Sequence, residues 1–340
     1  MKNKLSLAIA CGLTTMCVAT TGFANEKSFN IGGDVELDLT GTDRDDSSSF
    51  NHGGRIKINA VGMVKSDNGH FVKGVAQPLV LFNPGTTALP TQDEDLFVNN
   101  DAVAVDDAYL QIGKEGVWDI QMGRFEAMNL LPLGKDTLVA NVDGIVAYSA
   151  NDVRGRRDDT FHAALHVGSS DKFLFELGMQ ARKNGDDKIF EVRPAISYQL
   201  GSVKLHAGYE DLEGDASGFG IGAGFKLGGG DLNVGLAQAT DYPSSVVGKI
   251  DVTTVAVNYT KGPWGVGYLH AEGEVVDVAG RPDPSLDTVY AAYTLPIYAI
   301  KDASVTFAAS YSEGEYTMFD GTNFNDDDLT AVRARFNYTF

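Results

Sequence analysis

A strict two-residue alternation of apolar and polar side chains near the C-terminal end constrains this sequence most. From Val332 to Phe340 every second residue is apolar or aromatic, and Arg333 and Arg335 lie between them. Successive side chains of a β-strand point to opposite faces, so the pattern predicts a strand with one apolar and one charged face. A soluble sandwich would bury the apolar face, whereas a transmembrane barrel would turn it to lipid. The aromatic last residue, without a polar tail, favours the barrel.

The first residues predict a secreted protein. Lys2 and Lys4 precede a long uncharged stretch, which ends in a small-residue cleavage site, Gly22-Phe23-Ala24. This is the organisation of a cleaved signal peptide. We therefore predict a signal peptide at residues 1–24 and one barrel domain at residues 25–340.

Composition excludes several classes of protein. Both cysteines fall within residues 1–24, so the expected mature chain has neither a disulfide nor a thiolate metal site. Without Lys2 and Lys4, 25 basic and 46 acidic residues remain, a formal charge of −21. Nucleic acid needs a basic surface, so it is not an expected partner. No apolar run in the mature part approaches the roughly 18 residues of a membrane helix.

The same alternation recurs along the whole mature chain. The clearest hairpin joins residues 107–113 to residues 118–124, and residues 66–69 form a tight turn whose Asn-Gly pair supplies positive φ. Short turns alternate with long polar connections, among them 241–249 and 313–327. We count 16 strands, and this even number with tight turns at one end predicts an all-β, 16-stranded antiparallel transmembrane β-barrel.

The alternation stops for 26 residues, from 125 to 150. A connection that long is unusual in a compact barrel and is more often functional than not. Arg154 and Arg156 follow it and lead into the next predicted strand, which contains Phe161.

These features together resemble the Gram-negative outer-membrane porins. The likeness rests on the signal peptide, the hairpin at 107–124, the long segment, the arginine-bearing strand after it and the terminal Phe340. The sequence of residues 107–137 is similar to that of the raffinose-type glycoporins. The resemblance implies a homotrimer in contact with lipid and lipopolysaccharide, with a third loop folded into each lumen. It also implies passive diffusion of small hydrophilic solutes, oligosaccharides in the glycoporins, without a cofactor or catalytic residue.

Carried over by position, the resemblance gives candidate residues for the pore constriction and for solute binding. They are Arg55, Lys57, Tyr109, Arg124, Phe125, Glu126, Asp136, Asp143, Tyr148, Arg154 and Arg156. Guanidinium groups can hydrogen-bond to sugar hydroxyls, and aromatic rings can stack on sugar faces. Phe125 and Tyr148 could equally pack the loop against the wall.

The sequence departs from the porin pattern in two places. The Pro-Glu-Phe-Gly-Gly motif of general porin loops is absent, and residues 131–136 stand nearby instead. The sequence therefore leaves open whether Glu126, Asp136 and Asp143 carry charge into the lumen. Strict alternation also puts Arg124 on the lipid face. Either a bulge redirects it or it lies beyond the strand.

Other interpretations compete for the charged and histidine residues. Asp34, Glu36 and Asp38 can pair with the basic residues of the neighbouring strands, either as a seam that seals the barrel or as a field across a pore. His162 is the one candidate base for a barrel hydrolase, without a serine motif beside it. His166 lies about 13 Å from it at 3.3 Å per residue, so the two cannot share a metal. A general diffusion porin and a purely adhesive barrel are the remaining alternatives.

Overall fold

The structure is a computed structural model that describes most of the mature chain. The described residues are 25–44, 47–82, 103–134, 137–142, 147–157, 160–169, 171–184, 187–212, 216–244, 248–276, 282–319 and 324–340. The predicted signal peptide, 1–24, lies outside them. Within these ranges no helix has the length and hydrophobicity needed to cross a membrane.

Sixteen antiparallel strands form one closed sheet, as predicted. They are β1 (Asn25–Arg44), β2 (Ser47–Ser66), β3 (His70–Phe82), β4 (Val103–Lys114), β5 (Trp118–Arg124), β6 (Thr160–Ser169), β7 (Phe173–Asn184), β8 (Asp187–Leu200), β9 (Val203–Asp211), β10 (Ser217–Leu227), β11 (Gly230–Ser244), β12 (Gly248–Lys261), β13 (Trp264–Val276), β14 (Ser285–Pro296), β15 (Ala303–Phe319) and β16 (Phe324–Thr339). Each strand pairs with its sequence neighbours, and β1 pairs with β16 to close the barrel.

Burial along the strands is the reverse of that in a water-soluble barrel. On β15 and β16 the large apolar side chains face outward: Phe307 is 50% exposed and Val332 53%. The polar side chains that alternate with them, Ser310, Arg333 and Arg335, are buried on the inner face. An apolar outer surface and a polar interior suit a barrel that has lipid outside and water inside.

Several strands run further than the alternation predicts. Residues 241–249 and 313–327 were expected to be loops, but β11 extends to Ser244 and β15 to Phe319. The prediction of loops was wrong because only contact with lipid imposes the alternation of apolar and polar side chains. Hydrogen bonding between strands continues where both faces of the strand are polar. Register shifts between Ala239 and Tyr242 and between Gly314 and Met318 accompany these extensions.

The strand expected to carry the arginines also starts later than the sequence suggested. β6 begins at Thr160, so Arg154 and Arg156 precede it. Gly155 has φ of 122° and Arg156 has φ of 58°, so the backbone here departs from the regular extended conformation. Both arginines therefore lie in the irregular segment.

Candidate functional site

The chain between β5 and β6 packs against the inner face of the barrel. Its described residues, 125–134, 137–142 and 147–157, are here called the wall segment. Its two ends lie side by side, since Glu126 and Gly155 form an isolated antiparallel bridge and the Ala127 amide donates to the Arg154 carbonyl at 2.8 Å. From this base the segment contacts inner-face residues of the strands from β6 to β15.

Hydrogen bonds fix the far part of the wall segment to β12, β14 and β15. They are Tyr148 N to Thr254 Oγ1 at 3.0 Å, Tyr290 Oη to the Leu133 carbonyl at 3.1 Å, Ala140 N to Ser310 Oγ at 3.1 Å and Val142 N to Ser312 Oγ at 3.1 Å. The hydroxyl groups of these strands thus form hydrogen bonds with backbone groups of the wall segment that would otherwise be buried without partners.

Small inner-face residues on β9 to β11 make room for the segment. A Cβ built on Gly208 would lie 2.5 Å from a Leu130 methyl carbon, and one on Gly235 would lie 2.7 Å from a Leu131 methyl carbon. A Cβ on Gly220 would lie 2.9 Å from both the Leu130 and the Ala150 Cβ atoms. Gly208 of β9, Gly220 of β10 and Gly235 of β11 therefore form a packing surface for the segment.

Replacing Gly220 by leucine should displace the wall segment. Leu130 and Ala150 occupy the space that the new side chain needs, and such overpacking costs about 1–3 kcal/mol. We expect a larger, noisier single-channel conductance and faster protease cleavage between β5 and β6. Ala223→Leu, on the outward face of the same strand, is the matched control and should leave both unchanged. Equal behaviour of the two variants would contradict this packing.

Three buried charged side chains hold the base of the wall segment. Arg193 on β8 is fully buried, and its guanidinium lies 2.9 Å from Glu210 on β9 and 3.3 Å from Glu176 on β7. The same guanidinium donates to the carbonyls of Met128 at 2.7 Å and Ala150 at 3.0 Å. One side chain thus binds both limbs of the segment.

The two carboxylates bind the segment as well. Glu176 accepts from the Met128 amide at 3.0 Å, and Glu210 accepts from the Val153 amide at 2.9 Å and from the Tyr148 hydroxyl at 2.7 Å. Burial and the neighbouring Glu210 carboxylate raise the pKa of Tyr148 far above its usual range, so the hydroxyl stays protonated. We call Glu176, Arg193 and Glu210 the anchor triad.

A chain of alternating charges joins the segment to β2 and β4. Lys57 lies 3.3 Å from Asp106, and Arg156 lies 2.9 Å from both Asp106 and Asp107. Arg156 also lies 3.4 Å from Glu126. The predicted basic residues and Glu126 are therefore brought together, and they meet acidic partners on the barrel wall.

The remaining predicted arginines have different surroundings. Arg154 lies 3.3 Å from Glu126 and donates to the Ala127 carbonyl at 2.9 Å. Arg124 ends β5 on the outward-facing phase, and its guanidinium donates to backbone carbonyls that include those of Val105 and Asp106. The register shift nearby belongs to the β3–β4 pair, between Ala76 and Pro78, and within β5 Gly123 has φ of 130°.

The seam between β1 and its neighbours carries the other charges. Arg55 lies 3.1 Å from Glu36, Lys57 lies 3.4 Å from Asp34, and Arg335 of β16 lies 2.7 Å from Asp38. This is the ladder expected for a seal at barrel closure. The ladder lies on the inner face, where Glu36, Arg55 and Arg335 are buried.

Two of the three predicted aromatic residues pack the segment against the wall. Phe125 is 1% exposed and stacks on His162 with ring centroids 4.0 Å apart, while its carbonyl accepts a hydrogen bond from His162 Nδ1. Tyr148 is also 1% exposed. Tyr109 meets the edge of Phe125 at 5.8 Å. His162, the candidate hydrolase base, is therefore a contact of the wall segment.

Two predicted site residues, Asp136 and Asp143, lie outside the described residues. Sequence reasoning missed the anchor triad, although its members are spaced 17 residues apart on three successive strands. Three ionisable residues on successive strands, all on the polar phase, were the available signal. Among the described residues no group of three histidine, cysteine or acidic side chains is arranged to hold a metal.

Comparisons with known proteins agree with this geometry. Residues 31–185 match a family model described as porin-like glycoporin RafY, a little under half of the chain. A substituted mutant of the Rh. blastica porin superposes with a TM-score of 0.58 at 17% identity, over 92% of this chain and 100% of that one. This chain has the fold of the outer-membrane porins. A comparison with curated proteins finds no match.

Other solved porins share the fold. OmpT of Vibrio cholerae, in its trimer form, superposes with a TM-score of 0.58 at 12% identity, over 92% of this chain and 99% of that one. Its loop-deleted form gives 0.57 at 13% identity, with the same shares.

Proposed function

We propose that this protein is an outer-membrane porin that lets small hydrophilic solutes, oligosaccharides among them, diffuse through a channel narrowed by the wall segment. The observation that carries the proposal is the anchoring of the segment on the inner faces of β6 to β15, with Arg156 at its base paired to Asp106 and Asp107 of β4. The segment is then the inward-folded third loop that the sequence led us to expect. The glycoporin match supports the oligosaccharide part.

The mechanism needs no chemical step. The barrel wall shields a hydrated solute from lipid, and the wall segment limits the size that passes. The charges along the path, Arg55, Lys57 and Arg156 with their acidic partners, interact with ions and with sugar hydroxyls. Phe125 and Tyr148 stabilise the segment by packing it against the wall. Because both are buried, they have little surface for a solute.

We further propose that the barrel assembles as a homotrimer surrounded by lipid and lipopolysaccharide. Single-channel recording of the full-length mature porin in a planar bilayer tests these points together. Conductance steps in groups of three, with saturable block by a trisaccharide, are the expected result. Conductance without block would leave the second candidate, a general diffusion porin, and single steps only would contradict the trimer.

Replacing Arg156 by glutamine should shift the channel towards cations. Asp106, Asp107 and Glu126 would then keep their negative charges around an uncharged side chain. A unit charge acts on an ion ~10 Å away in water with about 0.4 kcal/mol, with opposite signs for K⁺ and Cl⁻, so the K⁺/Cl⁻ permeability ratio should rise about fourfold. The reversal potential in a KCl gradient measures this ratio. Lys301→Gln, in an exposed turn between β14 and β15, is the charge-matched control and should leave the ratio unchanged.

A further inference from the structure

A cavity of about 490 Å³ lies between the wall segment and the inner face of β8 to β11. Gln199, Lys204 and Asn233 line it from the barrel, and Asn129 and Pro132 line it from the segment. These positions place it near the tight turns that join β8 to β9 and β10 to β11. Its volume is within the range of about 300–1,000 Å³ typical of small-molecule sites.

The amide groups of the cavity are held in fixed orientations. Asn233 Nδ2 donates to Asn258 Oδ1 at 3.0 Å, and Asn258 Nδ2 donates to the Pro132 carbonyl at 2.6 Å. Asn129 Oδ1 accepts from the Leu131 amide at 2.9 Å. The orientation of each amide therefore presents Asn233 Oδ1 as an acceptor and Asn129 Nδ2 as a donor for a further partner.

His206 and Lys204 add groups of both kinds. His206 Nε2 lies 3.1 Å from the Leu130 carbonyl, which can only accept, so this nitrogen carries a hydrogen. In neutral His206 the other ring nitrogen, Nδ1, is then an acceptor. Lys204 supplies an ammonium donor two residues away on the same face of β9.

The lysine and acidic residues at this site leave a net charge of +1. Lys204 and Lys226 are basic, and Asp231 lies 2.5 Å from Lys226. Met128 and Pro132 provide apolar surface on the segment side. Hydrogen-bond donors and acceptors beside a small apolar face suit the hydroxyl groups and C–H faces of a sugar.

We propose that this cavity is a binding subsite for one or more units of a neutral, hydroxyl-rich solute such as an oligosaccharide. The inference rests on the proposed function, since it names where along the channel such a solute pauses. Because the cavity lies towards the tight-turn end, solute added on that side reaches it without passing the whole wall segment. Block should therefore differ between the two sides of the bilayer.

The test uses the full-length mature porin with raffinose, a neutral trisaccharide. Two measurements run in parallel: single-channel block with raffinose added to one side at a time, and saturation-transfer NMR of raffinose with the porin in detergent. In Lys204→Met and Asn233→Leu we expect raffinose to bind about fivefold more weakly, or worse, because hydrogen bonds to the solute are lost. Lys301→Met, an exposed lysine in a tight turn at the same end, should bind as the wild type does.

The outcomes separate the subsite from the proposed function. Heat-modifiable gel mobility first establishes that each variant is a folded barrel. Wild-type block that is unchanged in both variants would overturn the subsite and leave the oligosaccharide channel standing. A second outcome is that NMR shows raffinose binding to the wild type and to neither variant, while raffinose never blocks the current. That outcome would support the subsite and contradict the proposed function. Absence of binding in both measurements would overturn the subsite.

Discussion

Replacing Arg193 by methionine should lower the free energy of unfolding by about 3–5 kcal/mol and release the wall segment. The variant leaves the Glu176 and Glu210 carboxylates buried without the guanidinium that lies between them, and it removes the donor to the Met128 and Ala150 carbonyls. Unfolding by guanidinium chloride in detergent measures the change in the free energy of unfolding. Single-channel recording should show a larger and less steady conductance, because the constriction is no longer fixed at its base.

A double variant separates the charge effect from lost packing. Arg193→Met combined with Glu210→Gln removes one buried carboxylate charge, so it should be more stable than Arg193→Met alone. Lys226→Met removes a cation from an exposed pair, where losses are about 0–1 kcal/mol. Wild-type stability and conductance in Arg193→Met would show that the anchor triad does not hold the segment.

Replacing Val289 by arginine should prevent or weaken insertion of the barrel. Val289 lies in the middle of β14 on the outward face and is 52% exposed. An arginine on the lipid face near the bilayer midplane costs about 2–4 kcal/mol. The yield of heat-modifiable barrel after refolding into lipid vesicles measures this cost.

The matched control places the same residue on the other face. Gln121 of β5 lies on the inner face, where it pairs in register with Gln111 and Ala164. Gln121→Arg should therefore refold with nearly the wild-type yield, since the lumen is polar. Equal losses for Val289→Arg and Gln121→Arg would contradict the assignment of the outer surface to lipid.

The barrel could be predicted from the sequence because lipid imposes a pattern on each strand separately. Phe336 and Arg335 reveal their faces by position alone, with no knowledge of partners. The pattern fades where both faces are polar, which is why residues 313–327 read as a loop although β15 runs on to Phe319 and β16 begins at Phe324.

The candidate site was harder to predict because it depends on contacts between distant residues. Arg156 could be placed near the constriction from the sequence. Its pairing with Asp106 and Asp107 depends on the N-terminal end of β4 and on a left-handed backbone at Arg156 itself. Arg193 looked like any polar-phase residue of a strand. Its role follows only from the docking of a segment more than 40 residues earlier in the chain.

The pairing of β1 with β16 has a consequence for how the barrel forms. Every other strand pair is joined by a connection that helps to set its register, whereas this pair joins Asp38 to Arg335, 297 residues apart. Contacts so distant in sequence form late and slowly, and until then two strand edges are open to pairing with other chains. A slip of one residue would turn Arg335 away from Asp38 and towards lipid. The ion pairs of the seam therefore select the correct register at the one step where no turn can do so.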